Sequence, residues 1–160
     1  MTLKEKNDDP KYIKAGYIYN LTKVIHWPQT AFNFSLSPFI LGILGDKTIS
    51  TALIHTLREK SIKDRDWKVE FYNHPQEIRY CHLVFISNFD KEGISEAINL
   101  LIYKNALLVG DNIEEFCKLG GMINLVGTCP NFGYEVNLRK TEQAKLTINP
   151  DFLELATIIE

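Results

Sequence analysis

Three short segments of this chain are apolar almost without interruption: residues 39–44 (FILGIL), 82–87 (HLVFIS) and 106–110 (ALLVG). A strand with one wet face alternates apolar and polar side chains, whereas a strand covered on both faces has no reason to alternate. Runs of this length and composition predict buried strands of a mostly parallel sheet with a helix layer on each side.

The intervening segments carry the helical period. Residues 12–27 place Ile13, Tyr17, Leu21 and Val24 on one face, and the helix is expected to close at Trp27-Pro28, because a proline disfavours the helical region for its predecessor. Residues 48–58 repeat the pattern through Ile49, Leu53 and Leu57, and residues 91–103 through Ile94, Ile98, Leu101 and Ile102. Residues 68–72 alternate like a strand. Asp111 and Glu114 have capping-box spacing, which predicts a short helix through Phe116 and Cys117 closed by Gly120-Gly121. Residues 122–126 and 132–138 read as two strands of an antiparallel hairpin. Asn149 as N-cap, Pro150 at the first helical position and Ile148 stapled to Leu153 predict a last helix. The expected fold is α/β: a three-layer sandwich with a mostly parallel central sheet, helices on both faces and an antiparallel C-terminal hairpin.

A chain of 160 residues without repeats or a Pro/Ser-rich linker is expected to form one domain, placed at 12–160. The polar segment 1–11 is expected to lie outside it, disordered or foreign to the native protein. A net charge of −2 argues against a nucleic-acid surface, which carries a clear basic excess. No apolar run approaches the roughly 18 residues that span a bilayer, and the first ten residues lack the apolar stretch of a secretory signal.

No enzymatic constellation emerges. Gly42 and Gly45-Asp46 follow a strand but lack both the dinucleotide spacing and the P-loop lysine, so a strand-to-helix turn is the reading. His26, His55, His74 and His82 show no metal-ligand spacing, and Asp64, Asp66 and Glu70 lack the calcium-loop pattern. No catalytic residue, cofactor or metal is expected. Cys81, Cys117 and Cys129 fit one disulfide plus a free thiol, or three reduced thiols.

Two surfaces could bind. Tyr19, Lys23 and Trp27 recur every four residues along the first helix with Asn20 and His26 beside them, a pattern that suits either packing or an interface. The carboxyl ends of parallel strands form the usual ligand crevice, and here they would carry Asp46, Asn73, Asn88 and Asp111, with Ser87 and His74 alongside.

The stretch YIYNLTKVIHWP at 17–28 resembles the signature of the YfiR family (DUF4154-type regulatory proteins), in which a first helix reads approximately Y-x-Y-N-x-x-K-x-x-x-W-P. Further blocks agree in order: ILGD at 43–46, CHLVFIS at 81–87, VGDNIEEF at 109–116 leading to GGMIN at 120–124, YEVNL at 134–138, and LTI with LELA at 146–156. The resemblance implies a non-enzymatic α/β protein exported to the periplasm, its signal peptide removed, that forms homodimers. It further implies repression of an inner-membrane diguanylate cyclase through that enzyme's periplasmic part, relieved when an OmpA-like outer-membrane lipoprotein sequesters the repressor. Cyclic di-GMP and biofilm formation then rise. In an exported protein Cys81 and Cys117 are a candidate bridge, with Cys129 the odd thiol. Tyr19, Asn20, Lys23 and Trp27 become the candidate partner- or ligand-binding set. The alternative is a periplasmic small-molecule-sensing module that uses the strand-end crevice.

Overall fold

A computed structural model of the chain describes residues 2, 8–102 and 104–160. In chain order its elements are α1 (Pro10–Val24), β1 (Ile25–His26), β2 (Phe39–Leu44), α2 (Lys47–Leu57), β3 (Trp67–Tyr72), β4 (Leu83–Ile86) and α3 (Lys91–Leu101). Then follow β5 (Leu107–Asp111), β6 (Ile123–Thr128), β7 (Asn131–Val136), α4 (Leu138–Gln143), β8 (Thr147–Ile148), α5 (Pro150–Leu153) and β9 (Ala156–Ile158).

Seven strands form one sheet in the order β3-β2-β4-β5-β6-β7-β9. From β3 to β6 every pairing is parallel; β6 and β7 form the antiparallel hairpin, and β9 returns parallel to β7 as the edge. A separate ribbon pairs β1 with β8. The chain steps one way from β2 to β3 and the other way from β4 to β5. Right-handed crossovers therefore place α2 and α3 on opposite faces, and α1 packs beside α2. The fold is the three-layer α/β sandwich. Its uninterrupted apolar strands are the middle ones: all of β4 is buried, as are all but one residue each of β2 and β5.

Three interactions fix α1 across the sheet. Near its start, the Lys14 ammonium meets the Asp111 carboxylate at 2.9 Å. In the middle, the Tyr17 hydroxyl donates to the Pro130 carbonyl at 3.3 Å and accepts the Phe132 N–H at 3.0 Å, while its ring lies edge-on to Phe132. Beyond its end, the Trp27 indole N–H donates to the His82 carbonyl at 2.8 Å and its ring packs edge-on against Phe39. Among the described residues every buried side-chain nitrogen and oxygen has a hydrogen-bond partner.

The structure departs from the sequence expectations at four places. Residues 114–120 form consecutive turns, not a helix. The expected cap, Asp111, instead ends β5 with its carboxylate held by Ser87 and Lys14, while Asn112 and Glu115 take left-handed backbone (φ 52° and 59°) that a helix excludes. Leu138 does not extend β7 but opens α4, because the Asn137 side chain caps that helix by accepting from Lys140 N–H. The first helix stops at Val24, since Ile25 turns extended to pair with Ile148. Of the segment 1–11, residues 1 and 3–7 lie outside the described residues, as does Tyr103 at the end of the expected 91–103 helix; Pro10 and Lys11 are already helical, with Asp9 as their cap. The predicted cap at Asn149 is present, its side chain accepting from Asp151 N–H at 2.8 Å, although α5 is a single turn.

Gly45 joins the β2–α2 turn to the β4–α3 turn. It sits at φ +104°, and a Cβ there would lie 1.9 Å from the Ser87 carbonyl oxygen. Gly45→Ala combines an unfavourable conformation with backbone overlap and is expected to cost about 3 kcal/mol or more, read as a lower urea midpoint at unchanged slope. A loss under about 1 kcal/mol would mean the two turns can separate freely.

Candidate functional site

The first-helix signature divides into residues that hold the fold and residues that face out. Tyr17 and Trp27 belong to the first group through the hydrogen bonds above. Trp27 does not continue a stripe with Tyr19 and Lys23, because the helix has ended and its indole is turned in against Phe39. Tyr19 and Lys23 are adjacent one turn apart, the ammonium 4.4 Å from the ring centroid, which is cation–π geometry. Lys23, Asn20 and His26 are exposed. The outward set is therefore Asn20, Lys23 and His26, with Tyr19 half-buried beside Lys23 and packed against the core.

The second sequence-derived surface is divided as well. Asn88 and Asp111 line one cleft of about 470 Å³ between the β4–α3 and β5–β6 connections, with Phe89, Ile94 and Ile113 as its apolar wall. Lys91 and Glu114 supply opposite charges at the same cleft. Asp46 is elsewhere engaged: its carboxylate accepts from both the backbone N–H and the hydroxyl of Thr48 as the cap of α2. Asn73 is exposed, with its backbone N–H on the Glu77 carboxylate. The contact between Gly45 and Ser87 closes the space between the first two loops, leaving the cleft one strand further along the sheet.

Other signature residues organise the turns around these surfaces. Asn124 accepts the Ile113 N–H at 3.0 Å and donates to the Ile113 carbonyl at 2.8 Å and to Glu135 at 3.1 Å, pinning the 112–121 connection to the hairpin. Asn137 donates to the Cys117 carbonyl while capping α4. Residue spacing could have revealed only the Asn137 cap, three residues from Lys140; the bonds of Asn124 to Ile113 and of Asn137 to Cys117 reach backbone distant in sequence.

The opposite pole of the sheet holds a group that sequence reasoning weighed only as a metal ligand. His82 is buried, its ring stacked on Phe32 at 4.3 Å and on Phe39 at 5.0 Å, with Tyr80 edge-on at 5.0 Å. Its Nδ1 accepts the Ile40 N–H at 3.0 Å, so the proton resides on Nε2, which donates to the Ala31 carbonyl at 2.9 Å. Burial pushes this imidazole down to about 4, with the Arg65 charge adding to the effect against the Ala31 hydrogen bond.

All three thiols are free, so the Cys81–Cys117 bridge considered from sequence is not made. Cys81 leads into β4 and faces the Tyr72 hydroxyl, whereas Cys117 faces the carbonyls of Met122 and Glu135 beside β6 and β7. Two strand spacings of about 4.8 Å each already exceed the Cα separation of about 7 Å that a disulfide can span. Burial raises the Cys81 thiol to about 11 and the Cys117 thiol to about 12. Among the described residues no group of three or more His, Cys, Asp or Glu is placed to hold a metal ion, and no helix is long and apolar enough to cross a membrane.

Along the parallel strands the order is 2-1-3-4-5, the arrangement of doubly wound α/β domains, here extended by an antiparallel hairpin and a parallel edge strand. The family model described as YfiR/HmsC-like matches residues 11–157, nearly the whole chain, and the chain belongs to that family. The family is regulatory, generally comprising periplasmic regulators of diguanylate cyclases. No curated protein matches the chain.

Two outcomes check this geometry. Because the folded state disfavours the charged imidazole, the unfolded chain binds more protons between pH 6.5 and 4, and stability falls as pH drops through that window. The contribution lost is about 3 kcal/mol, absent in His82→Gln, and the His82 NMR titration should centre near 4; a midpoint near 6.5 would mean the ring is wet. Iodoacetamide at pH 8 should label half-buried Cys129 in the native protein and reach Cys81 and Cys117 only after denaturation.

Proposed function

We propose that this chain is a non-enzymatic periplasmic regulatory protein that binds the periplasmic part of an inner-membrane diguanylate cyclase and represses it. An OmpA-like outer-membrane lipoprotein would compete for the same repressor, and the working form would be a homodimer. The observation that carries the reading is membership of the YfiR/HmsC-like family across residues 11–157. The exposed Asn20 and Lys23, with the half-buried Tyr19 beside them, support it physically. An aromatic ring with an adjacent cation, on a helix already bolted to its sheet, presents a rigid contact at little entropic cost.

A second reading draws on the strand-end cleft. Asn88 and Asp111 share a cavity of about 470 Å³ that mixes apolar walls with one lysine and several acids and amides, which suits a small zwitterion. A sensor of this kind would show a raised melting midpoint with amino acids, since a ligand of the folded state stabilises it by mass action.

Deletion of the gene should raise intracellular cyclic di-GMP, and complementation should restore it. Complementation with Lys23→Glu should fail to restore it while the purified variant melts within about 1 °C of wild type, as expected for an exposed helix position. Unchanged cyclic di-GMP on deletion would remove the cyclase from the account.

A further inference from the structure

Among the described residues of the amino-terminal half, the connection between α1 and β2 contains the most exposed large apolar side chains, Phe34 at 63% and Leu36 at 81%. A loop of this kind would ordinarily be mobile, yet this one is held by a dense set of bonds. Arg65 Nη1 donates to the carbonyls of Phe34 at 3.2 Å, Ser35 at 3.0 Å and Ser37 at 2.8 Å. The same guanidinium lies 3.7 Å from the centroid of the Phe32 ring. Ser37 closes the turn, its hydroxyl accepting the Phe34 N–H at 3.0 Å and its N–H donating to the Phe34 carbonyl. Order is thus imposed on a segment whose two exposed apolar side chains, Phe34 and Leu36, gain little from it in the isolated protein. Pre-ordering of an apolar projection lowers the cost of burying it against something else.

Beside the projection lies a cleft of about 460 Å³, walled by Phe32, Phe34 and Ile40 and floored by Tyr80 and His82. Lys68 and Lys104, both exposed, stand at it, and none of the described residues lining it is acidic. The whole stretch 10–45 contains no Asp or Glu, although the chain as a whole is acidic. On the other side of the loop Asp64 and Asp66 flank Arg65 and are exposed. A uniformly anionic surface such as a bilayer would meet these carboxylates with repulsion, whereas a folded partner can match a surface divided into an apolar knob, a basic cleft and an acidic turn.

We infer that residues 32–37 and the adjoining cleft form a docking surface for a protein segment that presents an apolar side chain next to carboxylates. Phe34 and Leu36 bury against that segment, its apolar side chain enters the cleft over Phe32 and Tyr80, and its carboxylates pair with Lys68 and Lys104. The inference rests on the reading of this chain as a protein-binding regulator and locates a contact separate from the outward face of α1.

The test places a photo-crosslinking residue, Phe34→benzoylphenylalanine, in the full chain expressed in the source cell, with Leu100→benzoylphenylalanine as an exposed apolar control on α3. The expected result is an adduct, identified by mass spectrometry, on one protein segment with Asp or Glu beside the captured residue. Its yield should fall at least fivefold in Lys68→Glu/Lys104→Glu, whose melting midpoint should match wild type because both lysines are exposed. An adduct on lipid, on a second copy of the chain or on a segment without carboxylates would overturn the surface. So would capture no greater than at position 100, or capture indifferent to the charge reversal. If the acidic segment belongs to a protein other than a diguanylate cyclase, the surface stands and the cyclase assignment falls. If deletion raises cyclic di-GMP while position 34 captures nothing, the cyclase assignment stands and the surface falls.

Discussion

The attachment of α1 across the sheet is the constraint on which the remainder depends. Parallel strands buried on both faces need cover, and α1 joins α2 in covering one face. It is held at the carboxyl ends of the strands by Lys14 on Asp111, at the hairpin by Tyr17, and at the amino ends by Trp27 on His82. The Lys14 pair is more than a surface contact, since the Asp111 side chain is only 8% exposed and also accepts from Ser87. Removing one member would leave a largely buried charge short of a partner, which is costlier than replacing both.

That attachment explains the division of labour within the family signature. Residues pointing inward carry stability, and their bonds reach backbone far away in sequence. Asn20 and Lys23 point outward and have no comparable task in the fold, while Tyr19 beside Lys23 is half-buried and packs on the core. Rigidity is what would make an outward group useful to a partner. A ring and a cation fixed on a braced helix, together with a loop pinned by Arg65, lose little freedom on association.

Much of the architecture was legible in the sequence because β2, β4 and β5 are buried on both faces, so their composition alone marks them. The caps at Asp46 and Asn149 mark helix starts by chemistry local to a few residues. What stayed hidden was decided by tertiary bonds. Asp111 would cap a helix if its carboxylate were free, but Lys14 and Ser87 hold it. Trp27 would extend the aromatic stripe if Ile25 did not pair with Ile148. Strands β1, β8 and β9 have two or three residues, too few to show a period. The four residues proposed for the crevice were identified correctly as strand-end positions, yet one cleft takes only Asn88 and Asp111, because loop conformation decides which ends share a space.

The central claim is that this chain acts by presenting rigid outward side chains to a protein partner. Hydrogen–deuterium exchange of the full chain, alone and with the purified periplasmic domain of a diguanylate cyclase from the source organism, tests it most directly. The account predicts new protection over the outward turns of α1, at Tyr19 to Lys23, and over residues 32–37. Protection confined to the cleft residues 88–94 and 111–119, or no change anywhere in the chain, would contradict it.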